Sequence, residues 1–71
     1  MLMGTIKSYS EKNAFGFIEQ DNDKEDLFFF KNAFRDDQIR DIQAGARVEY
    51  VVVTGQKGPQ AAKAQIVTDE G

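Results

Sequence analysis

Ala14-Phe15-Gly16-Phe17-Ile18 and Leu27-Phe28-Phe29-Phe30 are the two stretches that decide how this chain folds. Side chains of an extended strand alternate between faces, so Phe15 and Phe17 share one face while Gly16 and Ile18 share the other. In the second stretch Phe28 and Phe30 oppose Leu27 and Phe29, so both strands are apolar on both faces. Gly16 lies opposite the phenylalanines, where a missing side chain lets a strand coil tightly or approach the interior closely. Ile18, Leu27 and Phe29 are therefore expected inside. Phe15, Phe17, Phe28 and Phe30 are expected outside, adjacent to one another if the two strands pair.

Working outward, short β-prone runs separated by polar, acidic or Gly-containing stretches predict about five strands: Thr5 to Tyr9, Ala14 to Glu19, Leu27 to Lys31, Arg47 to Val53 and Ala61 to Val67. Val48, Tyr50 and Val52 alternate with Arg47, Glu49 and Val51, which assigns the first set to the core. Between Lys31 and Gly45 the spacing of Phe34, Ile39 and Ile42 is helical but broken by Asp36-Asp37, so a short 3₁₀ or single helical turn followed by an irregular loop is expected after the third strand. Gly55-Gln56-Lys57-Gly58-Pro59 is a turn by composition, and Pro59 is expected to forbid a central ladder there. A sandwich of so few strands would leave long unpaired edges, whereas a closed barrel removes them. The expected architecture is all-β: a five-stranded antiparallel OB-fold barrel, preferred over an SH3-like one.

Seventy-one residues with 41% hydrophobic and 30% charged side chains predict a single compact domain over residues 1–71. Such a chain buries only about 60% of the surface its unfolded form exposes, so its core is thin. It has no Cys and no His, which removes thiol chemistry and the usual zinc ligands, and no metal or cofactor is expected. Asp21, Asp23 and Glu25 loosely resemble a Ca²⁺ loop, but the glycine and the distal bidentate Glu are missing. Ser8 and Ser10 have no recognisable base and the carboxylates sit in solvated runs, so no catalytic residue is expected and the chain is not predicted to be an enzyme. No apolar run outlasts Leu27 to Phe30, far short of a ~20-residue membrane span. A cytoplasmic protein is expected.

The net charge of −3 is opposite in sign to that of a generic nucleic-acid binder. Its acids, however, cluster from Glu19 to Asp26 and at Asp36, Asp37 and Asp41, whereas Lys7, Lys12, Lys31 and Lys57 fall at strand ends or turns beside the rings. Flat rings on a sheet suit nucleobases, because each stacked base contributes roughly 1–3 kcal/mol and every base has a π-face. The competing reading is that the rings fill an ordinary core and the lysines merely solvate the surface.

Asn13-Ala14-Phe15-Gly16-Phe17-Ile18 resembles K-G-F-G-F-I, the first ribonucleoprotein motif of bacterial cold-shock proteins, the cold-shock domain family of OB folds. Asp26-Leu27-Phe28-Phe29-Phe30 aligns with the second motif, D-V-F-V-H-F, and Gly58-Pro59-Gln60-Ala61-Ala62 matches the family's G-P-Q-A-A segment. The resemblance covers Gly4 to about Val67. It implies sequence-tolerant binding of single-stranded RNA and DNA, an RNA-chaperone role and no catalysis. Carried over residue by residue, Lys7, Phe15, Phe17 and Phe28 occupy contact positions, and Phe30 replaces the motif histidine with another ring. Lys12 stands next to Asn13, which replaces the motif lysine. Ser8, Lys31 and Ile39 stand where the family places rings, which predicts weaker and more salt-sensitive binding, with Lys31 adding a cation. Ala14 stands where the motif has glycine, which matters if φ is positive there.

The expected nucleic-acid-binding set is thus Lys7, Lys12, Phe15, Phe17, Phe28, Phe30, Lys31 and Lys57. The expected partner is single-stranded RNA or DNA, held by a monomer and without a membrane. The alternative is a protein-interaction or self-associating module, with strand exchange as one route to a dimer.

Overall fold

The computed structural model describes residues 1–56 and 58–67. Five strands form it: β1 (Leu2–Ser10), β2 (Phe15–Gln20), β3 (Asp26–Phe30), β4 (Arg47–Gly55) and β5 (Gly58–Ile66). They close into a barrel in the order β1-β2-β3-β5-β4, with β4 returning to β1. Directions cannot alternate all the way round a ring with an odd number of strands. One seam must be parallel, and it is β3 with β5, through Phe28 opposite Gln60; the other four seams are antiparallel. Among the described residues no helix is long and apolar enough to cross a membrane.

Each strand contributes its inward set to one core: Ile6, Ile18, Leu27 with Phe29, Val48 with Tyr50, and Ala61 with Ala64. Phe34 and Ile42, from the segment after β3, join it. Tyr50 is fully buried, as its alternation requires, and its hydroxyl donates to Gln20 Oε1 at 2.9 Å. Burial raises the Tyr50 phenol above its ordinary pKa.

Five sequence expectations are corrected. Val52, assigned inward with Val48 and Tyr50, is exposed, because β4 runs on past Leu2–Tyr50, the last pair it makes with β1. Lys31 does not extend β3: it opens a 3₁₀ turn (Lys31–Ala33), its N–H donating to the Ala14 carbonyl at 2.8 Å and its carbonyl accepting from Phe34 N–H at 3.0 Å. A second 3₁₀ helix follows at Asp36–Asp41 where an irregular loop was expected, because short i→i+3 turns keep Asp36-Asp37 in water while Phe34, Ile39 and Ile42 reach the core. Pro59 does not stop the ladder but lies near the start of β5 opposite Thr54, so the turn is narrower than expected and closes on the pair Gly55–Gly58. Val67 lies just beyond β5, though its N–H still reaches the Arg47 carbonyl at 2.9 Å.

Two bulges bend the barrel. In β1, Ile6 and Ser8 face Ile18 and Phe17, so Lys7 is the extra residue. In β5, Glu49 and Val51 of β4 face Gln65 and Ala62, which leaves Lys63 and Ala64 opposite Tyr50. Lys63 has φ +48, the left-handed conformation that such a bulge normally gives to glycine.

Ala14 is the other left-handed non-glycine, at φ +63, pinned by its N–H to the Ser10 carbonyl at 2.7 Å. That conformation costs a non-glycine residue about 1–2 kcal/mol. Glycine's extra freedom in the unfolded chain returns about 0.4–1 kcal/mol of that. Ala14→Gly should therefore stabilise the domain by about 0.5–1 kcal/mol and raise Tm by about 2–8 °C. An unchanged or lowered melting temperature in a thermal denaturation experiment would contradict the strain.

Candidate nucleic-acid interface

Pairing of β2 with β3 sets Phe15 opposite Phe30 and Phe17 opposite Phe28, all pointing away from the core side chains Ile18, Leu27 and Phe29. The rings form one continuous cluster with Phe28 at its centre. Its centroid lies 4.7 Å from that of Phe30, 5.5 Å from Phe15 and 5.9 Å from Phe17, and Phe15 meets Phe17 at 6.2 Å. Phe17 and Phe30 are 37% and 38% exposed, while Phe15 and Phe28 are half-buried by their neighbours. Leaving a phenylalanine in water forgoes up to about 1.5–3 kcal/mol of burial.

Gly16 sets this face. A Cβ on it would lie 2.2 Å from the Ser8 carbonyl oxygen and 2.7 Å from Phe29 Cζ, so β2 passes closer to β1 and to the core than any side chain would allow. The two flanking phenylalanines are held outward by that contact.

The charged groups divide the ring face into two ends. At one end Glu19 pairs with Asp26 across the β2–β3 ladder, and Lys7 reaches over to Asp26 Oδ2 at 2.8 Å. The hydrogen bond to Asp26, and then its charge, hold the Lys7 ammonium above its ordinary pKa, so it stays protonated. At the other end, the hydrogen bond from Lys31 to Ala14 ties the Glu11–Ala14 turn to the end of β3. The exposed side chains of Lys12 and Lys31 therefore belong to the same end as Phe15 and Phe30. Lys57 lies outside the described residues.

Two of the other acids are occupied elsewhere. Asp21 accepts two hydrogen bonds from the Arg47 guanidinium, at 2.8 and 2.7 Å, which hold its carboxyl below the usual range. Asp23 accepts the Glu25 N–H at 2.9 Å. Among the described residues no cluster of carboxylates is arranged to hold a metal ion.

Comparison with known proteins gives the family of this five-stranded barrel. The family profile of the 'Cold-shock' DNA-binding domain matches residues 2–67. The chain belongs to the cold-shock domain family. It is 43% identical over 61 residues to the cold shock-like protein CspA of Stigmatella aurantiaca, covering 86% of this chain and 90% of that protein. It is 37% identical over 60 residues to the cold shock protein CspV of Vibrio cholerae, covering 84% of this chain and 86% of that protein. Among solved structures it superposes on drosophila Unr CSD456 with a TM-score of 0.80 and 28% identity, over 97% of this chain and 27% of that one.

In this cold-shock domain the departures from the family pattern have visible consequences. Ser8 pairs with Phe17 in the ladder and puts no ring beside it. Ile39 packs against the core instead of facing outward. Two features escaped the sequence reading. One is Asp26 as the partner of Lys7, which a bulge brings together across 19 positions. The other is a hollow of about 290 Å³ beside Phe30, lined by Gly55, Gln56 and Gln60. The Gly58-Pro59-Gln60 segment carried the signal for the second, since Gln60 comes to lie opposite Phe28.

Proposed function

We propose that this cold-shock domain binds single-stranded RNA or DNA by stacking bases on Phe15, Phe17, Phe28 and Phe30, with Lys12, Lys31 and Lys57 holding phosphates, and acts as an RNA chaperone. The observation that carries the reading is that a connected four-ring cluster stays outside a core already filled by Phe29, Phe34 and Tyr50. Rings accept any base, so sequence specificity is low, and unpaired bases are trapped without ATP. Lys7 joins the phosphate contacts when a strand competes with Asp26, an exposed ion pair of the kind worth little by itself.

A fluorescence-anisotropy titration with a labelled oligo-pyrimidine, repeated over a salt series, tests this. Micromolar or tighter binding is expected at low salt, with log K falling by about 0.7 per log unit of salt for each phosphate held. Absence of binding at low salt overturns the reading. A labelled RNA hairpin opened by the protein without ATP tests the chaperone role. The protein acts as a monomer in this reading; a dimer in sedimentation that occludes the rings and ignores oligonucleotide would put a second copy of the chain in place of the bases.

A further inference from the structure

The β3–β5 seam does not end at the ring face. Phe28 faces Gln60 at its start, and further along the same parallel direction Phe34 faces Ala64. Between those points the chain leaves β3, passes Lys31 and turns through Lys31–Ala33. An open groove of about 420 Å³ follows, lined among others by Asn32, Phe34, Arg35, Lys63 and Ala64. Asn32 is two residues beyond Phe30, so their Cα atoms lie within about 8 Å and the groove begins next to the end of the ring face.

The groove's polar lining is suited to an anion. Arg35 and Lys63 are both exposed, and among the described residues Lys63 forms no ion pair. Arg35 has only a loose contact with Asp37, at 3.7 Å between two strongly exposed side chains. Among the described residues no carboxylate lines the groove, and Glu49, opposite Gln65 in the β4–β5 ladder, accepts a hydrogen bond from the Gln65 amide. Lys63 keeps its left-handed backbone at a bulge where glycine or asparagine would cost less, so the lysine is held there at an energetic cost.

We propose that this groove is a second phosphate site, in which Arg35 and Lys63 hold the backbone of a single strand after it has crossed the rings. The proposal rests on the base-stacking reading above and extends the site beyond it, so that oligonucleotides longer than the ring cluster gain contacts that short ones do not.

Labelled oligo-dT of four and of ten nucleotides, titrated against the wild type and against Arg35→Gln/Lys63→Asn, separates the two. Asparagine suits the left-handed position, so the double variant should melt no lower than the wild type. The four-mer should bind both proteins alike within twofold. For the ten-mer the double variant should show a salt slope flatter by about 1.4, the loss of two phosphates, so about sevenfold of the wild type's weakening between 50 and 200 mM salt disappears. The charge-preserving pair Arg35→Lys/Lys63→Arg should restore the wild-type slope. An unchanged ten-mer slope overturns the groove alone, as does a four-mer weakened in the same proportion as the ten-mer, which would report the general field of the lost charges. A wild type that binds neither oligonucleotide overturns the base-stacking reading together with the groove.

Discussion

Phe15→Leu/Phe28→Leu is expected to weaken binding of a four-nucleotide oligo-pyrimidine by about 30-fold or more while leaving the barrel folded. Two stacked bases contribute about 2–6 kcal/mol together, and 1.4 kcal/mol is a factor of ten in affinity, so the range runs from about 30-fold to beyond 10⁴-fold. Leucine keeps apolar bulk between the flanking rings, and volume-conserving swaps cost less than about 1.5 kcal/mol each. Phe28 is the position that matters more, because three other rings lie within 5.9 Å of it and lose their edge or tilted contacts with it. The salt slope should stay as in the wild type, since no cation is touched, and that invariance separates lost stacking from a damaged fold. Affinity within twofold of the wild type, in a variant shown by thermal melting to be folded, would remove the rings from the site.

The ring face was legible in the sequence because its signal is local. Alternation in Phe15-Gly16-Phe17-Ile18 and in Leu27 to Phe30 sorts side chains by face whatever the rest of the chain does, and the ladder that makes them neighbours joins strands adjacent in sequence. Tyr50 was legible for the same reason. What could not be read came from long-range register. The bulge at Lys7 depends on how β1 meets both β2 and β4, and it decides that Lys7 reaches Asp26. The parallel seam exists only because the ring of strands closes, so neither the Phe34–Ala64 bridge nor the groove beside it has a local signature. Ile39 stands where a ring was expected on the family pattern, and only the packing of the second 3₁₀ helix shows that its side chain belongs to the core. Ala14 lies between the two cases: the replaced glycine marks it as a position where a positive φ would matter, but the hydrogen bonds that hold that φ, its N–H to the Ser10 carbonyl and the Lys31 N–H to its own carbonyl, have no local signature.

Gly16→Ala is expected to destabilise the domain by about 3 kcal/mol and lower Tm by about 12–24 °C, at the upper end of what one added methyl group does in a packed interior. The added Cβ would meet the Ser8 carbonyl oxygen at 2.2 Å and the Phe29 ring at 2.7 and 2.8 Å. Neither neighbour can move cheaply: Ser8 is in the β1–β2 ladder opposite Phe17, and Phe29 is fully buried and stacked on Tyr9 with centroids 5.9 Å apart. A domain of this size has about 4–11 kcal/mol of stability in all, so much of it is consumed. Gly45→Ala isolates the backbone effect, because φ there is +95 but no atom lies within 4 Å of the added carbon; it should cost only the conformational 1–2 kcal/mol or so. Relief of the Gly16→Ala clash requires β2 to move away from β1, which displaces Phe15 and Phe17 together. Oligonucleotide affinity should therefore fall in Gly16→Ala even at a temperature where circular dichroism shows the variant folded, and stay unchanged in Gly45→Ala. Equal melting temperatures for the two variants would mean that the close approach of β2 to β1 is not what holds the rings outward.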